Sequence, residues 1–89
     1  MLAYQQYFIG DYRTNAGERR SVRLPDNSNV ELAGATALSL DFSPQLRLVT
    51  LHRGEAFFST AQDKSRPFVV DAGAGRTMAS GAAFNIDYV

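Results

Sequence analysis

The sequence predicts an all-β domain of seven or eight short, mostly antiparallel strands in two packed sheets, of the β-sandwich, jelly-roll or solenoid-like kind. Three observations predict it. Apolar residues recur with a period of two in short runs. Turn-forming residues punctuate those runs at the spacing usual for sandwiches and barrels. No window of ten or more residues carries a helical apolar stripe.

The elements follow in order from Gly17. Glu18 to Leu24 places Val22 and Leu24 on one face and Arg23 on the other, and Val30 and Leu32 resume the same period. Between them Pro25 presets φ for the first central position of a turn, Asp26 suits the second, and Asn27 is one of the few residues besides glycine that enters the left-handed region at low cost. This is the chemistry of a type I turn followed by a bulge residue, which joins antiparallel strands. Ala37 to Phe42 is the next run, apolar at Leu38, Leu40 and Phe42, and Ser43-Pro44-Gln45 breaks it. Leu46 to His52 follows, with a tight turn at Arg53-Gly54. Glu55 to Thr60 holds Phe57 and Phe58 side by side; neighbours on a strand point to opposite faces, so only one of them belongs to a given core face. Gln62 to Arg66 reads as a polar loop. Pro67 opens a strand at Phe68 to Asp71, where a missing N–H matters least. Gly73-Ala74-Gly75 is a flexible turn, and Arg76 to Ser80 and Ala82 to Tyr88 form two last strands around Gly81, a bulge or a close approach.

With 89 residues the chain makes one small domain. Residues 1–11 are expected to be a linker or an N-terminal edge segment and residues 12–89 the β domain. Tyr4, Tyr7 and Phe8 form an aromatic patch for a partner or an edge-packed end. Nine basic residues balance nine acidic ones, so no strong field draws the chain to nucleic acid or an anionic membrane. The arginines at 13, 19, 20 and 23 are interleaved with Asp11, Glu18, Asp26 and Glu31, which predicts a mixed, solvated face. Cysteine is absent, which excludes disulfides, thiol chemistry and cysteine-ligated zinc. No apolar run is long enough to cross a bilayer and none at the start resembles a secretory signal; a membrane anchor, if the protein has one, is expected outside this sequence.

Candidate chemistry is sparse. His52 is the single histidine. It stands three residues from Glu55, a spacing that puts strand side chains on opposite faces, so a metal site is not expected. It is also the one imidazole base available to Ser39, Ser43, Ser59, Ser65 and Ser80, and nothing in the sequence brings it to any of them. Gly73-Ala74-Gly75 lacks the lysine and helix of a phosphate loop. Glu18 and Glu55, each after a glycine, are expected to bond backbone or pair with an arginine. No cofactor, no metal and no enzymatic activity are predicted.

Ordered along the chain, Tyr12 and Thr14; Gly17 and Glu18; Leu24, Asp26 and Ser28; Val30 and Leu32; Arg47, Val49 and Leu51; Gly54 to Phe58; Arg66 to Val70; and Ala79, Gly81 and Phe84 form a set that resembles the FecR domain of transmembrane anti-sigma regulators. Asn27 stands where that family usually has glycine, Ala33 where asparagine is expected, and Ser80 and Ala82 replace leucine and threonine. The resemblance implies a structural signature of Gly17, Glu18, Asp26, Asn27, Gly54, Glu55, Phe57, Phe58, Pro67, Phe68, Gly81 and Phe84. It implies a signal-relay domain on the periplasmic face of the inner membrane in a single-pass protein. Such a domain passes a signal from a TonB-dependent outer-membrane transporter of iron uptake to a cytoplasmic extracytoplasmic-function sigma factor. Its partners would be proteins: other parts of the parent regulator, and the transporter's signalling domain, reached mainly through a C-terminal region beyond this sequence. The competing reading is a stand-alone β-sandwich binding module, for instance for carbohydrate, although the chain has no tryptophan to offer a sugar.

Overall fold

The computed structural model describes residues 8–79 and 81–88. Nine strands occupy them: β1 (Phe8–Arg13), β2 (Arg20–Arg23), β3 (Asn29–Leu32), β4 (Ala37–Phe42), β5 (Arg47–Arg53), β6 (Glu55–Ser59), β7 (Phe68–Ala72), β8 (Gly75–Ala79) and β9 (Ala83–Asp87). They form a five-stranded sheet in the order β1-β4-β5-β7-β8 and a four-stranded sheet in the order β2-β3-β6-β9. No helix occurs among the described residues. The strand beyond the predicted set is β1, an edge strand. Tyr4 and Tyr7 lie outside the described residues, as do Ser80 and Val89.

Alternation builds the core. Val30 and Leu32 on β3, Leu38, Leu40 and Phe42 on β4, Val49 and Leu51 on β5, and Ala56 and Phe58 on β6 all turn inward and are almost wholly buried. Each such Leu, Val or Phe contributes roughly 1.5–3 kcal/mol by leaving water. Phe68 is the hub, edge-on to both Phe42 and Phe58, each with its centroid 6.0 Å away, an arrangement that favours the ring quadrupoles. Phe84 extends this stack from β9, 5.4 Å from Phe58.

One pair of neighbours, β5 and β7, is parallel. Parallel strands need a crossover, and here β6 supplies it by passing through the opposite sheet. Phe68, Val69 and Val70 are all buried in consequence, the continuous apolar run expected of a parallel strand. The turn at Arg53-Gly54 therefore links strands of different sheets. Gly54 has φ +89°, and a Cβ there would sit 2.3 Å from Thr36 Oγ1 and 2.7 Å from Thr36 Cα, so the corner admits only glycine. Gly81 (φ +63°) marks a second corner, between β8 and β9.

The turn between β2 and β3 has the predicted form. Asn27 N–H donates to Leu24 C=O at 3.0 Å, Leu24 N–H donates to Ser28 C=O at 2.7 Å, and Asn27 has φ +71°. This is a type I turn with a left-handed bulge residue.

Candidate functional site

Most of the chemistry-bearing side chains are committed to holding the fold. At the β2–β3 turn Asp26 accepts a hydrogen bond from Ser28 N–H (3.0 Å) on one oxygen; the other accepts from Ser28 Oγ (2.7 Å) and from Arg47 Nη1 (2.7 Å). Arg47 is fully buried at the start of β5. Its Nε donates to Arg66 C=O, its Nη1 also donates to Ala61 C=O, and its guanidinium lies 5.2 Å from the centre of the Phe68 ring. Ser28 Oγ in turn accepts from Ala61 N–H at 2.8 Å. One buried ion pair thus joins the two sheets to the 60–67 loop. Asp26 was expected on a mixed, solvated face with the nearby arginines. That expectation is corrected: its side chain is 3% exposed, and the partner that makes its burial tolerable comes from the opposite sheet.

Each Gly-Glu pair has a local task. Glu18 Oε1 accepts from Asn15 N–H at 2.8 Å and closes the Asn15–Glu18 turn that contains Gly17 (φ +81°). Glu55 departs from the expectation of a backbone or arginine partner: its Oε2 accepts from the Asn85 side-chain amide at 2.6 Å, because Asn85 stands diagonal to it on the outer face of β9. Thr36 and Thr14 stitch the other end of the sandwich. Thr36 Oγ1 donates to Glu55 C=O and accepts from Glu55 N–H, each at 3.1 Å, while Thr14 Oγ1 donates to Ala33 C=O at 2.6 Å.

Phe58 is fully buried and Phe57 is 41% exposed, as adjacent strand positions require. Phe57 stands in the middle of the outer face of the four-stranded sheet. On one side a shallow concavity of about 310 Å³ is lined by Ser21, Asn29 and Ser59; on the other, a second of about 230 Å³ is bordered by Arg19, Glu55 and Asn85. Pro67 precedes β7, and its carbonyl accepts from Arg47 N–H at 2.9 Å.

The single histidine has a neighbour the sequence did not reveal. Ser39 Oγ donates to Asp11 Oδ1 at 2.6 Å and lies 2.8 Å from His52 Nε2, because β1, β4 and β5 are consecutive in the sheet. The serine's one proton is directed to the carboxylate, so the imidazole donates to Ser39 and does not withdraw its proton. A nucleophile–base pair requires the opposite polarity. His52 and Glu55 share no site, and the described residues contain no group of three or more His, Asp or Glu side chains able to hold a metal.

What fold and site together define is a two-sheet β scaffold whose polar residues are spent on turns, corners and one buried charge pair. The family model described as FecR protein matches residues 10–89, and the chain belongs to this family. Its structure is similar to a crystallised candidate anti-sigma factor from Parabacteroides distasonis ATCC 8503, with TM-score 0.82 and 30% identity over 90% of this chain and 38% of that one. A second such structure from the same organism gives TM-score 0.81 and 32% identity, covering 88% of this chain and 37% of that one. The chain therefore spans less than two-fifths of the length of these relatives. A comparison with curated proteins finds no match.

Proposed function

We propose that this chain is the relay domain of a sigma-factor regulator. It would lie on the periplasmic side of the inner membrane, passing a signal from a TonB-dependent outer-membrane transporter toward an extracytoplasmic-function sigma factor. The observation that carries the reading is the coincidence of the FecR match over residues 10–89 with likeness to two candidate anti-sigma factors at 30% and 32% identity. The chemistry of the chain is consistent with a role that is not catalytic, since its buried charges and glycine corners serve the scaffold. No helix among the described residues is long and apolar enough to cross a membrane. The twelve signature residues act in this role as the frame of the relay domain, and residues 12–89 as the relay unit.

The transporter's signalling domain is expected to contact mainly the polypeptide that follows residue 89 in the longer regulator. Calorimetry with that signalling domain tests this division: weak or absent binding by the 89-residue chain, and tighter binding by a form extended at its C-terminus, is the expected result. Equally tight binding by the shorter chain contradicts it.

One observation favours the competing carbohydrate reading: Phe57 is exposed between two concavities edged by Asn29 and Asn85, a ring with amides at hand to bond hydroxyls. Titration with neutral oligosaccharides, followed by the amide signals of Phe57 and Asn29, separates the two readings. The relay reading predicts no saturable shift.

A further inference from the structure

The two sheets differ by one strand, and the difference falls on one side. At the β1/β2 side the sandwich is shut, with the Arg20 guanidinium 5.5 Å above the Tyr12 ring. At the other side, among the described residues, β8 has no strand opposite it. Its inward positions are Gly75, Thr77 and Ala79, paired with Ala72, Val70 and Phe68 of β7. Of these small residues, Gly75 and Thr77 line, with Ile86 of β9, an open groove of about 320 Å³ floored by Val70 and Ala72. Phe84 and Ile86 are left half-buried, packed against the core on one flank only.

Among the described residues, the edge of β9 that borders this groove has no strand paired to it. Tyr88 N–H donates to Gly54 C=O, and Thr60 N–H donates to Ala82 C=O. Alternate residues of an antiparallel ladder turn to the same neighbour. Hence Phe84 and Ile86 also face β6, and the N–H and C=O groups of Ala83, Asn85 and Asp87 face the open edge. Two acids meet there: Asp87 sits directly across from Glu55 on the outer face, and although Arg19 borders the concavity beside Glu55, neither acid makes an ion pair among the described residues. Like charges opposite each other on a sheet are unfavourable until a cation joins them.

We propose that the β9 edge takes up one extended segment of a partner protein, which completes the four-stranded sheet by strand addition. Its main chain bonds the free groups of Ala83, Asn85 and Asp87. Its inward positions are aliphatic and fill the groove over Thr77 and Ala72. Its outward position beside Asp87 is Lys or Arg, which relieves the Glu55–Asp87 repulsion. Strand addition is a general way for an open edge to bind a partner. A second copy of this chain does not fit the same place: β8 reaches one strand beyond β9, so two such edges brought together would drive their β8 strands into each other. The inference stands on sheet geometry and holds whether or not the regulatory reading does.

The test uses the 89-residue chain and a Val-Lys-Val-Lys-Val-Lys-Val peptide with blocked ends. Amide signals of Ala83, Asn85 and Asp87 and the Thr77 methyl are expected to shift saturably. The same peptide with Glu for Lys should bind at least about tenfold more weakly. Ala83→Pro removes an edge N–H that the β6–β9 ladder does not use, and Thr77→Phe fills the groove; each should cut binding by about tenfold or more while circular dichroism stays unchanged. Any of four outcomes overturns the proposal: no saturable shift at about 1 mM peptide, shifts mapping away from β9, undiminished binding by both folded variants, or self-association of the chain through β9.

Discussion

Arg47 Nη1 stands 2.7 Å from Asp26 Oδ2, and the two side chains are 0% and 3% exposed. The pair bridges opposite sheets, from the tip of the β2–β3 turn to the first residue of β5. Burying two charges is costly, and the cost is met only when the geometry is good and the remaining polar atoms are bonded. Here Asp26 has three donors, and Arg47 has two carbonyls and an aromatic face besides the carboxylate; only its Nη2 is buried without a hydrogen-bond partner among the described residues, so the pair is nearly but not wholly satisfied. Breaking such a pair leaves an uncompensated buried charge. Asp26→Ala is therefore expected to lose about 3–5 kcal/mol, enough to unfold much of so small a domain. Urea denaturation of Asp26→Ala beside Asp26→Asn, which keeps the shape, checks this; a loss under about 1 kcal/mol for both contradicts a structural role for the pair.

Asn27 at φ +71° sets a second expectation. Asn27→Gly should be neutral or stabilising by up to about 1 kcal/mol, and Asn27→Val should lose more than glycine gains. Thermal denaturation of the two variants checks it; valine tolerated better than glycine contradicts the turn geometry.

Phe57 and Phe58 separate what burial contributes. Phe58→Ala should cost about 3–5 kcal/mol, since the ring is fully enclosed between Phe68 and Phe84. Phe57→Ala should cost less than about 1 kcal/mol. Similar losses at both sites in chemical denaturation would contradict the assignment of faces.

The loop from Asp63 to Arg66 carries a pH signature. The Ser65 hydroxyl, the Arg66 guanidinium and the Ser65 N–H all hydrogen-bond the Asp63 carboxylate and hold it down at about 2, against an ordinary value of 3.8. Arg76 lowers Asp71 in the same direction through a two-pronged hydrogen bond. A carboxyl whose folded value lies below its unfolded value favours the native state above the unfolded value, and that contribution is lost as pH falls through the folded one. The stabilising effect of Asp63 should accordingly be intact above about pH 4 and disappear toward pH 2. Carboxyl carbon shifts followed by NMR should give a midpoint for Asp63 well below that of an unstructured aspartate; a midpoint at or above the ordinary value contradicts the loop geometry.

Where the chain alternates apolar and polar residues between clear turns, the sequence foretold the strands well. β4 was legible to the residue, and the β2–β3 turn was legible down to its left-handed asparagine. Four features were not. β1 resisted because Gly10 falls at the middle inward position between Phe8 and Tyr12, so its period of two shows only once β4 is beside it. Gly54 reads as an ordinary tight turn and Gly81 as a bulge or close approach, because a positive-φ glycine serves a hairpin, a bulge and a change of sheet equally well. The burial of Arg47 was hidden because its partner lies 21 residues earlier and in the other sheet; a lone arginine opening a strand resembles an exposed edge residue. The closeness of Asp11, Ser39 and His52 likewise follows from strand order, which periodicity does not encode.

Sigma-dependent transcription reports directly whether this domain serves a sigma-factor regulator in the way proposed above. In cells carrying the longer protein, a reporter for the cognate sigma factor should respond to the transporter's inducing ligand. Replacing residues 12–89 with a flexible linker, or introducing Asp26→Ala, should uncouple the reporter from the ligand while the protein remains in the membrane. Ligand-dependent induction that survives both changes at its original amplitude would contradict the account.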